Sequence, residues 1–276
     1  MLTEKQLVEI GELQHECEAN DKIQLKLNWE MLRNRSENEQ SDFLLYEDGK
    51  LAAFLGIYSF GKKAELCGMV KPEYRRKGIF SKLMKQALSA CTERKYREVL
   101  FNAPAQSAAA KDFLKTISCE YSFSEYQMKW AEKELAADNH VTLRQSEPSD
   151  LPLEIQLDVS CFGYMEQDAS DYSHCIKRED DQEFIIIEFE NKAVGKMRVS
   201  HTNGEAWIYG FAVLPDYQGR GIGRNALHKI IAKENEAGYP IFLEVEAKNA
   251  HALKLYESCG FKSFHVQDYY EWQKSS

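Results

Sequence analysis

Between Phe211 and Arg224 the chain reads Phe-Ala-Val-Leu-Pro-Asp-Tyr-Gln-Gly-Arg-Gly-Ile-Gly-Arg. Glycines at 219, 221 and 223 remove side chains from a stretch where backbone N–H groups can converge. Downstream, apolar residues at 222, 226, 227, 230 and 231 lie on one face of a helix, so the positive end of its dipole falls at this corner. Free amides, a helix N-terminus and the guanidinium groups of Arg220 and Arg224 together suit a diphosphate. The plainer alternative is a tight turn built for packing alone.

Other chemistries fit less well. Gly219-x-Gly221-x-x-Arg224 lacks the third glycine of a dinucleotide-binding turn, and residues 215–218 separate it from the preceding strand. Gly56 to Lys63 nearly spells a nucleotide P-loop, but Lys63 replaces the magnesium-holding hydroxyl and no helix pattern follows, so a hairpin turn is expected. His251 and Cys259 are explained by packing at a helix end. Seven cysteines without close pairing suggest neither a disulfide framework nor a zinc site, and no metal is expected.

The elements that must position the glycine loop are legible around it. Residues 183–190 and 193–200 read as a hairpin turning at Asn191-Lys192, and Asn203-Gly204 leads into a third strand, 206–213. A short strand at 241–247 and a helix at 249–258, ended by Gly260, follow the first helix. Antiparallel strands succeeded by β–helix–β–helix require a mixed sheet flanked by helices, an α/β fold.

This plan occurs twice. At an offset of 143, Pro72-Glu73-Tyr74 answers Pro215-Asp216-Tyr217 and Lys77-Gly78-Ile79 answers Arg220-Gly221-Ile222. The same offset lays residues 47–50 on 190–193 and Val99-Leu100 on Phe242-Leu243, so the register is expected to hold without a gap. We expect two tandem domains, 1–134 and 140–276, joined by a polar stretch, with leading helices within residues 1–35.

A net charge of −9 offers no field toward nucleic acid, and the first twenty residues are neither a signal peptide nor a membrane span. A cytoplasmic protein without nucleic-acid or membrane partners is expected.

The segment from Val213 resembles the acetyl-CoA signature of the GNAT superfamily of N-acetyltransferases, V-x-P-x-x-[QR]-x-x-G-x-[GA]. Val213, Pro215, Gln218, Gly221 and Gly223 match, and Asn249 to Tyr256 with Cys259-Gly260-Phe261 resemble a second family element. The resemblance implies a cosubstrate, acetyl-CoA, and an acceptor that is a small-molecule, protein or peptide amine. Gln218, Gly219, Arg220, Gly221, Ile222, Gly223 and Arg224 would cradle the pyrophosphate. Phe211, Ala212 and Val213 would pair with the pantetheine arm, Asn249 would touch it, and Tyr256 would protonate the leaving thiolate. The general base is Glu205, Tyr209, Glu244 or Glu246; strand alternation does not choose among them, since a bulge in the central strand would reset its faces, and Glu205 is preferred. A non-catalytic acyl-CoA-binding module is the alternative.

The first copy keeps Val70, Pro72, Arg75 and Gly78 but has Phe80 where Gly223 stands, Arg76 in place of Gly219 and, at the same offset, Phe113 in place of Tyr256. A benzyl group at the helix start and no phenol imply a degenerate domain that binds CoA poorly or not at all.

Overall fold

The computed structural model describes residues 1–35, 39–135, 140–177, 182–202 and 204–274. The first copy runs α1 (Glu4–Asp21), α2 (Trp29–Arg33), β1 (Asp42–Glu47), β2 (Lys50–Phe60), β3 (Lys63–Val70), α3 (Ile79–Glu93), β4 (Glu98–Pro104), α4 (Ala108–Leu114) and β5 (Cys119–Trp130). The second runs β6 (Val141–Gln145), α5 (Leu151–Phe162), α6 (Glu166–Ile176), β7 (Gln182–Phe189), β8 (Lys192–Thr202), β9 (Glu205–Val213), α7 (Ile222–Glu236), β10 (Ile241–Glu246), α8 (Ala250–Ser258) and β11 (Phe261–Trp272). Gly56 to Lys63 forms the β2–β3 hairpin, as expected. The Asn203-Gly204 turn lies half outside the described residues at Asn203, while Gly204 adopts φ +78°.

The chain forms two compact units, 1–124 with 265–276, and 125–264. In the first, β1, β2 and β3 are antiparallel neighbours, β3 pairs with β4 in parallel, and β4 pairs with residues 267–271 of β11. In the second, β6 to β9 are antiparallel in order, β9 and β10 are parallel, and β10 takes residues 125–129 of β5 as its outer partner. Each unit thus includes a strand that belongs by repeat to the other copy. The repeat boundaries at 134 and 140 and the spatial boundaries at 124 and 264 are different partitions of one chain, and residues 136–139 of the expected junction lie outside the described residues.

The register of the duplication differs from the gapless expectation. The parallel pairs Ala64↔Val99, Glu65↔Leu100 and Leu66↔Phe101 answer Ala206↔Ile241, Trp207↔Phe242 and Ile208↔Leu243, an offset of 142. The β1–β2 hairpin answers β7–β8 at 142 as well, down to the bulge at Leu45/Tyr46 and Ile187/Glu188 and the left-handed turn pairs Asp48, Gly49 and Glu190, Asn191. Only the glycine loop and the following helix keep 143. One residue is added in β9 and one is lost before β10, and the two changes cancel in the sequence.

Each unit is built on apolar faces of the expected period. On α7, Ile222, Leu227, Ile230 and Ile231 are fully buried against Ile208, Val213 and Leu243. At about 1.5–3 kcal/mol for each such side chain, this stripe anchors the start of α7 more firmly than loop hydrogen bonds worth about 1 kcal/mol each. The segment after Cys161 contains a helix, α6, whose first turn carries Glu166 and Asp168 at the positive end of the dipole.

Removing residues 265–276 strips β4 of its antiparallel partner. Amide exchange at residues 100–104 should then accelerate by at least about tenfold, with β9 little changed. Equal acceleration in both units, read by mass spectrometry, would contradict this partition.

Candidate active site

The site begins with one extra residue in β9. Arg198 faces Tyr209 and Lys196 faces Ala212, so Gly210 and Phe211 together oppose Met197. Gly210 takes φ +56°, a left-handed conformation open to glycine. Before the bulge Ala206 and Ile208 face the core, and after it Phe211 and Val213 do. The strand therefore turns a second edge outward without losing its apolar face.

The bulge coincides with a separation of strands. Pairing between β9 and β10 runs from Ala206↔Ile241 to Ile208↔Leu243, after which β9 stays with β8 and β10 follows β5 through Glu246↔Glu125. Beyond Ile208 and Leu243 the two parallel strands part. The edge of Phe211, Ala212 and Val213 that faces this gap suits an extended ligand carrying amides.

At the mouth of the gap stands the glycine loop. Leu214 donates its N–H to Val194 O at 2.8 Å, residues 215–217 make a 3-10 turn, and the Gln218 amide donates to Val213 O at 2.9 Å. The Cys161 thiol reaches the same carbonyl at 3.5 Å. Gly219 and Gly221 adopt φ +74° and +78°, and the first bond of α7 runs from Asn225 N–H to Gly221 O. Amides ahead of Asn225 therefore have no partner within the helix and point at the loop. Arg220 stacks over Tyr217 at 5.2 Å, and Gln218 to Gly221 and Arg224 are exposed. Buried Ile222 is the pivot. A Cβ on Gly223 would come to 3.4 Å from the Phe211 ring, an ordinary van der Waals contact, so packing leaves room here for a small side chain.

Tyr256 lies beside this assembly. Asn249 caps α8, its side-chain oxygen accepting from Ala252 N–H at 3.1 Å, and the helix carries Tyr256 to within 6.4 Å of Phe211, ring to ring. The phenol is 8% exposed, and burial pushes its pKa well above the ordinary value. It stays protonated throughout the neutral range.

The glutamates separate by position. Glu205 begins β9 at the hairpin, accepts from the Trp207 indole at 2.9 Å, and stands six residues before Phe211, roughly 18–20 Å of extended chain. The fold does not bring it to the loop. Glu244 follows the last β9–β10 pair, on the face opposite core residues Leu243 and Val245, level with Tyr209, and accepts from Gln127 at 2.9 Å. Glu246 pairs with Lys248 at 2.9 Å, and Tyr209 lies under the Arg198 guanidinium at 4.6 Å.

Two residues of the site escaped the sequence reading. Gly210 was visible as a lone glycine within a strand pattern, the usual sign of a bulge. Cys161 carries no motif of its own, although Cys17, 144 residues earlier, makes the matching bond to Val70 O at 3.4 Å.

The Tyr256 pKa carries a sign that can be checked. A tyrosine in the unfolded chain ionises near pH 10, whereas the buried phenol holds its proton, so the group lowers stability as pH rises above 10. Tyr256→Phe should remove up to about 1.4 kcal/mol per pH unit from the alkaline loss, measured as denaturant midpoints from pH 9 to 11. Identical slopes in the two proteins would show that the phenol is reached by solvent.

Among the described residues no helix is long and apolar enough to cross a membrane. Curated relatives match only part of the chain. The [ribosomal protein bS18]-alanine N-acetyltransferase of Escherichia coli (strain K12) is 42% identical over 67 residues, 24% of this chain and 45% of that protein. Streptothricin acetyltransferase A of Bacillus subtilis (strain 168) is 34% identical over 98 residues, 34% of this chain and 55% of that protein. The chain thus spans about half the length of these relatives. Over whole chains the fold is similar to a GCN5-related N-acetyltransferase from Sphaerobacter thermophilus, with TM-score 0.76 at 17% identity, covering 95% of this chain and 91% of that one. It is also similar to a tandem GNAT protein from the clavulanic acid biosynthesis pathway, with TM-score 0.69 at 12% identity, covering 99% and 96%. The acetyltransferase (GNAT) family pattern matches residues 7–116 and again 152–261, and with the parted strands and the loop described above this establishes that the chain belongs to that family, in tandem form.

Proposed function

We propose that the second copy, residues 140–276, moves an acetyl group from acetyl-CoA to a primary amine by direct attack in a ternary complex. The observation that carries this reading is the coincidence of three features. β9 and β10 part at Leu243, the unpartnered amides of the glycine loop stand at the mouth of the gap, and a buried phenol lies beside it. The diphosphate would sit on residues 218–224, with Arg220 and Arg224 offsetting its charge. The pantetheine arm would run along Phe211, Ala212 and Val213 as an added strand, which brings the thioester to the level of the bulge. There a backbone N–H near Val213 polarises the carbonyl. Asn249 enters as the cap that orients α8.

Tyr256, protonated at rest and lying beside the strand gap, then donates its proton to the departing CoA thiolate. For the base, strand geometry favours Glu244 over Glu205. Glu244 stands level with Tyr209 beside the bulge, where the attacking nitrogen must arrive, while Glu205 begins the strand four residues earlier, roughly 13 Å of extended chain away. The acceptor is an amine of either class represented among the relatives, a protein α-amine or a small-molecule amine. A binding-only module retains the loop but needs neither Tyr256 nor Glu244.

Purified protein should release free CoA in the presence of a suitable amine. Tyr256→Phe should cut kcat by about 10²–10⁴-fold while the Kd for acetyl-CoA moves little. Loss of affinity in parallel with kcat would point to packing instead. Glu244→Gln should lower kcat/KM by a similar factor, and Glu205→Gln by no more than about threefold. The opposite ranking would restore Glu205 as the base.

A further inference from the structure

The face of the second unit's sheet turned away from α7 carries its own row of aromatic and charged side chains. Ile208 on β9, Leu243 on β10 and Met128 on β5 share the core with α7, so Trp207, Tyr209, Phe242, Glu244 and Gln127 project from the other side. Ring geometry agrees. Tyr209 stacks with Trp207 at 6.1 Å and 12°, and Trp207 with Phe242 at 4.9 Å and 16°. Arg198, paired with Tyr209 across β8 and β9, lays its guanidinium over that ring at 4.6 Å. One row of this face therefore runs Gln127, Glu244, Tyr209, Arg198 across four strands, at the level where β9 and β10 part.

The acidic end of the row is fixed by a residue of the first copy. β5 belongs to that copy by repeat, and its Gln127 donates from Nε2 to Glu244 Oε1 at 2.9 Å, which orients the carboxylate at the parting point. Gln127 is 5% exposed, and its own Oε1 has no hydrogen-bond partner among the described residues. An ammonium group arriving at Glu244 carries the N–H donors that this buried oxygen lacks.

The basic end holds a cation without an anion. On the same face of β8, two residues away, Lys196 is neutralised by Asp158 of α5 at 2.6 Å. Half-buried Arg198 has neutral partners instead: Gln182 accepts from its Nη1, Tyr209 offers its ring, and no carboxylate among the described residues pairs with it. A guanidinium is a planar fork suited to a carboxylate or a phosphate, and the N–H groups on Nε and Nη2 remain for one. The CoA diphosphate is not that anion, because the loop assigned to it lies beyond Val213, past the bulge from Tyr209, and has its own arginines. Arg198 and Glu244 stand two strands apart, at least about 10 Å at the backbone, and Arg198 leans over Tyr209 between them. A small molecule spans the remainder.

We propose that the acceptor is a small primary amine that also carries an anionic group, a carboxylate or a phosphate monoester, with its nitrogen at Glu244 and its anion on Arg198. This rests on the function proposed for the second copy and narrows its acceptor to the small-molecule class. The test is a screen of primary amines in matched pairs, each carboxylate against its carboxamide and each phosphate monoester against its alcohol, read as CoA release at saturating acetyl-CoA. The anionic member should be favoured in kcat/KM by about tenfold or more, and the series that responds tells carboxylate from phosphate. Arg198→Gln should bring that ratio close to one, chiefly by raising KM for the anionic member, and Arg198→Lys should restore part of it. An arginine needed only for packing would instead lower both members alike and leave the ratio unchanged. Equal or faster turnover of the neutral members, or a preference that survives Arg198→Gln, would overturn the anion site while the proposed function stands. Acetyl-CoA binding without turnover of any amine would remove the proposed function, and this assignment with it.

Discussion

The separation of two parallel strands is the constraint on which the site depends. Once β9 and β10 part after Ile208 and Leu243, each retains a backbone edge whose polar groups must be matched by water or by a ligand. Everything else serves that gap. The Gly210 bulge lets β9 leave its neighbour while Phe211 and Val213 remain in the apolar layer, and the buried stripe of α7 holds the glycine loop across the opening. Gln218 and Cys161 both bind the Val213 carbonyl, so the loop is hinged to the strand end it extends.

The charges are arranged to match. In a chain of net charge −9, the exposed cations Arg220 and Arg224 stand where helix-start amides already favour anions. The phenol is treated differently. Burial keeps Tyr256 neutral, its proton held on the phenol rather than lost to solvent. Loop and phenol are held by different elements, α7 and α8, and meet through the Phe211 ring.

Much of this was legible in the residues. The mixed sheet, both helices of the second copy and the loop itself follow from periodicity and from glycine spacing, and the family pattern was carried by Val213, Pro215, Gln218, Gly221 and Gly223. The duplication was legible too, but its register was not. An offset of 143 matches the loops, and the strands obey 142, because the extra residue at Gly210 is hidden by a compensating loss before β10. That single slip moved the counterpart of Tyr256 from Leu114, which follows the cap Ser107 as Tyr256 follows the cap Asn249, to Phe113, and concealed that Asn102 answers Glu244. Phe80 looks obstructive in the residues because a side chain's direction depends on what its neighbours vacate, here the ring missing at Gly68, where the second copy has Phe211. The preference for Glu205 rests on residue type, which the sequence displays, whereas distance along a strand, which sets reach, it does not display.

The exchange of terminal strands has a further consequence. Residues 125–129 complete the sheet of the second unit and residues 267–271 that of the first. Losing either half of the gene would expose a raw sheet edge in the surviving half, an invitation to aggregation. Each copy therefore supplies a strand to the other's unit, so neither half is dispensable to folding.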